Sequence, residues 1–290
     1  KGMTREEFRL LSENVIVLDG ATGSNLFKAG MPRGICSETW ILEHPEVIKD
    51  LQKRYVEAGS RIVIAPTFGA NRSALEGYGL EGGIESLNKR LVQLSREAAD
   101  GKAYVAGDIT AAARIIGSAD DATYENALER YKEQMRYLVD AGVDLLIIET
   151  MISLEEATAA VEAAHEVCDL PVLCTMTVEA DGTVYGGGNV IEAVETLQAL
   201  DVDAVGINCS VGPDQLPAMV TGMKQVISIP LIVKPNAGMP AISETGEAVY
   251  SMNEEQFAKH MRVLLDLGAN IVGGCCGTTP DYIRELCKVI

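Results

Sequence analysis

The 290-residue sequence predicts a single (β/α)8 TIM barrel on three observations. Short β-branched runs alternate with longer helical patterns from one end of the chain to the other, eight times over. The runs are apolar at every position rather than at every second one, which is the pattern of strands buried on both faces in a helix-covered parallel sheet. Polar, acidic, glycine and thiol residues gather where strands end and the following loops begin, while the N-terminal strand ends are bland. A barrel concentrates its chemistry on that C-terminal face. A doubly wound open sheet is the other architecture that such a pattern allows.

Taken in order, the strands are expected at Val15–Leu18, Arg61–Ala65, Ala103–Ala106, Leu145–Ile148, Val172–Met176, Ala204–Ile207, Leu231–Val233 and Asn270–Val272. The helices between them are expected near His44–Ala58, Gly83–Ala99, Thr123–Ala141, Leu154–Val167, Val190–Leu200, Asp214–Ile227 and Asn253–Leu267, with a last one from Pro280 to Lys288. Ala58-Gly59, Ala141-Gly142 and Leu267-Gly268 read as helix ends closed by a left-handed glycine. Asn253 followed by Gln256 reads as an N-cap with its reciprocal partner three residues on. No Ser/Pro-rich linker separates the units, so residues 1–290 are read as one domain.

Composition narrows the partners. Hydrophobic residues make up 47% and aromatics only 5%, which suits Ala, Val, Ile and Leu helices packed on a parallel sheet. The 24 basic against 42 acidic residues give a net charge of −18, which argues against nucleic acid or an anionic membrane as partner. No apolar run reaches the roughly 18 residues of a membrane span. The seven cysteines are odd in number and follow no visible signal peptide, so reduced thiols in a cytoplasmic protein are expected.

Listing the strand ends locates the chemistry. They read Asp19-Gly20-Ala21-Thr22-Gly23-Ser24-Asn25, then Pro66-Thr67-Phe68-Gly69-Ala70-Asn71, Gly107-Asp108-Ile109, Glu149-Thr150, Asn208-Cys209, Lys234-Pro235-Asn236-Ala237-Gly238 and Gly274-Cys275-Cys276. Strand five is the weak member, followed at some distance by a candidate flap, Tyr185-Gly186-Gly187-Gly188-Asn189.

Cys275 and Cys276 are too close along the chain to bridge each other, because a disulfide needs Cα atoms about 4.4–6.8 Å apart with converging Cβ vectors. Strands six and eight flank strand seven, so Cys209 can face both across a barrel mouth. Three thiolates there make a Zn²⁺ site with one position left open. So thiolate-rich a centre is a poor activator of water. It suits the binding and deprotonation of a substrate thiol, whose electron-rich sulfur then attacks an electrophilic carbon. Asp19 and Glu149 are the acids placed to hold a substrate ammonium, and free N–H groups at Gly20 and Ala21 are placed to take a carboxylate. Asn236 lies beside the open metal position and is grouped with the substrate-binding residues. Cys168, Cys174 and Cys287 read as buried structural thiols, Cys36 is left open between the two roles, and His44, His165 and His260 fall in helices away from the mouth.

Asp19-Gly20-Ala21-Thr22-Gly23, Glu149-Thr150, Gly206-Ile207-Asn208-Cys209, Pro235-Asn236-Ala237-Gly238 and Gly273-Gly274-Cys275-Cys276-Gly277-Thr278-Thr279-Pro280 resemble the homocysteine S-methyltransferase family. Within it the likeness is to the homocysteine-binding module of cobalamin-dependent methionine synthase, over essentially the whole chain. The resemblance implies a zinc barrel in which the homocysteine sulfur becomes the fourth ligand and is methylated to methionine. It implies Cys209, Cys275 and Cys276 on zinc, and Asp19, Gly20, Ala21 and Glu149 around the amino acid.

Three segments depart from the family pattern. Ala65-Pro66-Thr67-Phe68 stands where Thr-Asn-Thr-Phe is usual, Thr110-Ala111-Ala112-Ala113 follows strand three where Gly-Pro-Thr-Gly is usual, and Tyr185-Gly186-Gly187-Gly188 replaces a Thr-Gly-rich segment. The chain shows no folate or cobalamin module of its own, so a methylcorrinoid (methylcobalamin) is expected from a separate corrinoid-binding domain or protein. Small donors such as betaine or S-methylmethionine form the alternative. A non-catalytic zinc or thiol-binding barrel is the alternative of another class.

Overall fold

The computed structural model describes residues 2–112 and 123–290. Seven parallel strands, β1 (Ile16–Val17), β2 (Ile62–Ile64), β3 (Tyr104–Ile109), β4 (Leu145–Met151), β5 (Val172–Met176), β6 (Ala204–Cys209) and β7 (Leu231–Pro235), precede a small antiparallel hairpin. The hairpin is β8 (Pro240–Ile242) with β9 (Ala248–Tyr250), and the last barrel strand is β10 (Ile271–Val272). The barrel strands form one eight-stranded sheet in the order β1-β10-β7-β6-β5-β4-β3-β2. Its two edges meet where the Arg61 N–H donates to the Val17 carbonyl at 2.7 Å and the Ser60 hydroxyl donates to the Leu18 carbonyl at 2.9 Å. The sheet is therefore a closed barrel and not an open doubly wound sheet.

All eight expected strands form, and β3, β4, β6 and β7 run two or three residues further than their apolar runs. The continuous apolar pattern has the cause anticipated for it. Side chains alternate across each strand, and both faces are dry. Ile16, Ile62, Ala106, Ile147, Leu173, Ala204, Ile232 and Ile271 fill the barrel interior. Val63, Val105, Ile148, Cys174, Val205, Val233 and Val272 point outward into the shell beneath the helices.

The helices fall where expected: Pro45–Ala58, Ile84–Ala99, Tyr124–Asp140, Leu154–Val167, Val190–Ala199, Pro217–Val226, Glu254–Asp266 and Pro280–Lys288. The expected helix from Asp214 begins instead as a short 3-10 turn, Pro213–Gln215, because Pro217 lacks the N–H that would continue it. Asn253 and Gln256 make the reciprocal capping pair. Gly59, Gly142 and Gly268 adopt the left-handed conformation expected of them.

Besides the short helices Gly23–Lys28, Ser37–Glu43 and Arg72–Glu76 and the 3-10 turn Glu81–Gly83, two further elements are not evident in the sequence. The helix Arg5–Leu11 puts Phe8, with Met3 before it, into the interior cluster and plugs the N-terminal end of the barrel. At seven residues it is too short to show a helical period. The hairpin of β8 and β9 is mostly exposed, so it carries no apolar alternation to read. Among the described residues no helix is long and apolar enough to cross a membrane. Of the sequence segments singled out above, Ala113 lies outside the described residues.

Candidate functional site

The site follows from strand periodicity. Ala106 in β3, Ile147 in β4, Leu173 in β5, Ala204 in β6 and Ile232 in β7 face the interior. Two residues further along, the same face carries Asp108, Glu149, Thr175 and, in β7, Lys234; in β6 the step from Ala204 passes Gly206 to Asn208. A polar layer thus caps the apolar ones at the C-terminal mouth, and every member of it is at least nine-tenths buried. Sequence reasoning used Glu149 but missed Asp108, Thr175, Asn208 and Lys234 as site residues. Counting by twos along each strand finds them all.

Asn208 ties this layer together. Its Oδ1 accepts from the Thr150 N–H at 2.9 Å and from the Thr175 hydroxyl at 2.8 Å, and its Nδ2 donates to Thr150 Oγ1 at 2.8 Å. Thr150 needs the support, because it is a β-branched residue held at φ 59°. Cys209 and Ser210 are also left-handed, at φ 52° and 69°. The Ser210 hydroxyl secures that turn by accepting from the Val178 N–H at 3.0 Å and donating to the Asn208 carbonyl at 3.1 Å. Strained non-glycine backbone therefore gathers where Glu149 and Cys209 leave their strands.

The thiols converge as their strand positions require. The sulfurs of Cys209, Cys275 and Cys276 all lie within 4.8 Å of one another, with Cys209 and Cys276 4.0 Å apart. Cys209 and Cys275 are in bonding contact, with Cα atoms 5.4 Å apart, while Cys276 is free. That pairing departs from the expectation that every cysteine is a free thiol. The reason is geometric, since sulfurs brought close enough to share one ion are also within reach of each other. With the Cys209–Cys275 contact reduced, the donor set is three convergent soft thiolates, which fits Zn²⁺. Asn236 works behind it, with its Oδ1 accepting from the Cys276 N–H at 3.1 Å. Tyr250, at the end of the hairpin, lays its ring over Gly277, where any Cβ would collide with it.

The turn after β1 packs directly on the cysteine turn. Thr278 Oγ1 accepts from the Ala21 N–H at 3.0 Å and donates to the Cys275 carbonyl at 2.7 Å, and Asn25 Nδ2 donates to the carbonyls of Ala21 and Thr278, both at 2.9 Å. The Ala21 N–H is therefore not free, which corrects its expected role as a carboxylate donor. It is spent on holding the two turns together. The Gly20 N–H meets no protein acceptor among the described residues. A side chain at Gly20 would run into Tyr55 Oη at 2.7 Å and Thr278 Oγ1 at 2.8 Å, so only glycine fits there.

The electrostatics of the mouth are set by burial. Asp19 Oδ2 accepts from the Ile64 N–H at 2.9 Å, and its Oδ1 lies 3.5 Å from Lys234 Nζ. Burial pushes the Asp19 carboxyl up to about 6, against the pull of Lys234 and of that N–H. Burial pushes Asp108 well above the carboxylate range, reinforced by the neighbouring Glu149 carboxylate. Lys234 donates to the Gly274 carbonyl at 2.8 Å, so its cation sits beneath the cysteine turn.

The remaining thiols lie elsewhere. Cys174 is buried in the shell, where its thiol is pushed up to about 12, and burial also raises Cys168 and Cys287. Cys36 resolves as a buried residue whose thiol contacts Glu38 at 3.5 Å. His44 stacks on Trp40 and His165 pairs with the Leu200 carbonyl, both away from the mouth. The segment after β5 is a tied turn and not a free flap. The Gly186 N–H donates to the Ile152 carbonyl and the Val184 N–H to the Gly188 carbonyl, both at 2.9 Å.

Residues 16–290 match the sequence model of a family described as homocysteine S-methyltransferase. The chain is 31% identical, over 97% of its length, to the methionine synthases of Mycobacterium leprae (strain TN) and Mycobacterium tuberculosis (strain ATCC 25618 / H37Rv). It spans about a quarter of the length of each. Among solved structures, the metallated form of the homocysteine methyltransferase MmuM from Escherichia coli superposes with a TM-score of 0.82 at 24% identity, covering 97% of this chain and 99% of that one. Its oxidized form superposes at 0.81, covering 97% and 98%. The fold is thus that of a single (β/α)8 barrel, and with its family match running from β1 to the last residue, the chain belongs to the homocysteine S-methyltransferase family.

Proposed function

We propose that residues 1–290 act as one homocysteine-binding module, which holds Zn²⁺ on Cys209, Cys275 and Cys276 and activates the homocysteine thiol for methylation to methionine. The observation that carries this reading is the convergence of three thiols on one side of a buried acid layer. Zinc held by three thiolates lowers the pKa of an incoming thiol. The chain's own residues handle the rest of the substrate. Asp19 and Glu149 receive the α-ammonium, and the Gly20 N–H is free to take the carboxylate. Asn236 fixes the backbone of Cys276, and the Lys234 cation favours the ionised form of Asp19.

The methyl group comes, in this reading, from a methylcorrinoid carried by a separate domain or protein. Support lies in the exposed apolar side chains Phe68, Tyr185, Met239, Ile242 and Val249, which all sit in segments that follow strand ends at the mouth. The test is purified protein with zinc and homocysteine, given methylcobalamin, betaine or S-methylmethionine, followed for methionine. The expected result is one zinc per chain, lost in Cys276→Ala, and methionine with methylcobalamin. Faster turnover with betaine or S-methylmethionine would move the chain to the small-donor class. Full zinc and thiol binding with no methionine from any donor would make it a binding barrel.

A further inference from the structure

Thr150 points the wrong way for its place in the chain. Alternation along β4 puts Ile147 in the barrel interior, Ile148 in the outer shell and Glu149 inward again, so Thr150 is due to point out toward the helices. The strand register shows why it does not. Ile148 pairs with Cys174 and Met151 with Met176, so Glu149 and Thr150 together oppose the single residue Thr175. Met151 accordingly returns to the outer shell that holds Ile148. The irregularity is a β-bulge, rare between parallel strands, and its extra residue is Thr150 at φ 59°. A bulge re-aims a side chain. Here it sets two successive side chains, Glu149 and Thr150, on the interior side of the mouth, where Thr150 bonds to Asn208, a residue only 1% exposed.

The Asn208 amide fixes what the Thr150 hydroxyl does. A backbone N–H can only donate, so the Thr150 N–H holds Oδ1 of Asn208 on its side and leaves Nδ2 facing Thr150 Oγ1. Thr150 Oγ1 therefore accepts, at 2.8 Å, and its own hydrogen is left over. That hydrogen meets no acceptor among the described residues, although the side chain is held at two points and is only half-buried. Thr110 steadies the same bulge from β3, donating its hydroxyl to the Glu149 carbonyl at 2.9 Å.

The substrate carboxylate lacks a donor that this hydroxyl supplies. Two oxygens accept several hydrogen bonds, yet the Ala21 N–H is spent on Thr278 and only the Gly20 N–H remains at the turn after β1. The two walls of the mouth then follow one pattern. Asp19 is followed by the free N–H of Gly20, and Glu149 is followed by the free hydroxyl of Thr150. An α-amino acid carries its ammonium and carboxylate on one carbon, so an acid and a neighbouring donor suit the two groups together. Resting on the reading of this mouth as an amino-acid thiol site, we propose that Thr150 is a substrate-binding residue whose hydroxyl donates to the α-carboxylate. The bulge in β4 is what brings it there, and it selects amino-acid thiols over aminothiols that lack the carboxylate.

The test is calorimetric titration of the zinc-loaded protein with L-homocysteine and with its decarboxylated analogue, 3-aminopropanethiol, which keeps the thiol, the ammonium and the spacing between them. Wild type should prefer homocysteine. Thr150→Val keeps the branched shape without the hydroxyl, and Thr150→Gly accepts the left-handed backbone without strain. In both, the preference should fall by roughly tenfold or more, the effect of losing a charge-assisted hydrogen bond, while affinity for the decarboxylated analogue holds. Thr150→Ser should keep the wild-type preference. Zinc content and thermal melting identify a variant that fails to fold, and the other hydroxyl-free variant then decides. Equal weakening of both ligands would show that Thr150 only supports Glu149. An unchanged preference, or none in wild type, would show that the hydroxyl holds no carboxylate. Either result overturns the proposal and leaves the methyltransferase reading in place. Failure of homocysteine to bind zinc-loaded wild type would overturn both.

Discussion

Lys234 Nζ lies 3.5 Å from Asp19 Oδ1, and both side chains are almost wholly buried. The same ammonium donates to the Gly274 carbonyl, immediately before Cys275. One cation thus links the acid of β1, the end of β7 and the turn that carries two of the three thiols. The pair needs that third contact. Burying both charges costs several kcal/mol each, and a loose ion pair offsets this only in part.

Removing the cation should show where it acts. In Lys234→Met, Asp19 loses the group that most opposes its protonation and should become largely neutral at pH 7. Because protonation limits the penalty of an unpaired charge, the loss of stability should stay at about 1–3 kcal/mol, below the roughly 3–5 kcal/mol of a pair broken without that escape. Homocysteine affinity should fall by roughly tenfold or more, since a charge-assisted hydrogen bond contributes about 1.5–3 kcal/mol. Urea unfolding and calorimetric titration check the two parts separately. Unchanged affinity would remove Asp19 from the ammonium subsite.

Asp19 also predicts a pH dependence with a definite sign. Its carboxyl is raised to about 6 in the fold, above its ordinary unfolded value. Between about pH 4 and 6 the unfolded chain has therefore given up a proton that the native state keeps, and stability falls as pH rises through that window. Asp19→Asn lacks this component. The stability of the variant relative to wild type should improve by about 3 kcal/mol between pH 4 and pH 7, because each tenfold change in proton affinity on folding corresponds to about 1.4 kcal/mol. Urea midpoints at the two pH values measure it, and a constant difference would mean that Asp19 is not desolvated as its burial implies.

Asn208 sets the strained backbone at the end of β4. Asn208→Ala leaves the Thr150 N–H and the Thr175 hydroxyl without their acceptor in a buried layer, which should cost about 2–5 kcal/mol. Thr150 is then free to leave its left-handed conformation, carrying Glu149 with it. Zinc content should hold while homocysteine binding falls. Adding Thr150→Gly, which accepts the left-handed backbone without strain, should recover part of the binding. Loss of zinc together with binding would show instead that Asn208 supports Cys209.

Much of this was legible from residue types alone. The eight strands show as largely apolar runs because both faces of the sheet are dry, and the glycine stops at 59, 142 and 268 announce their helix ends. Cys209, Cys275 and Cys276 stand out because thiols at strand ends amid glycines suit no core. Lys234 and Asp108 did not stand out, because a charged residue after an apolar run reads as the start of a loop. Only the parity of the strand shows that both side chains point inward. The occupied Ala21 N–H was invisible for a different reason, since its acceptor, Thr278, is 257 residues away in the chain. The plug helix is recognised only by the interior it fills.

The rim gives the last prediction. Phe68, Tyr185, Ile242 and Val249 are exposed and belong to segments following three different strands at the mouth. A corrinoid on another protein must approach face-on and cover these side chains, whereas free methylcobalamin needs to cover fewer of them. Replacing Ile242, which is 79% exposed, with Asp should leave zinc content, stability and transfer from free methylcobalamin nearly unchanged, because the hairpin side chain supports no core. Transfer from a protein-bound methylcorrinoid should slow by about tenfold, the effect of losing one well-buried apolar contact worth about 1.5 kcal/mol. Raising salt from about 0.05 to 0.5 M should slow the protein-bound reaction further, because a chain of net charge −18 draws part of its encounter rate from electrostatics. Equal slowing with both donors would locate the effect at the thiol site and leave the rim without a docking role.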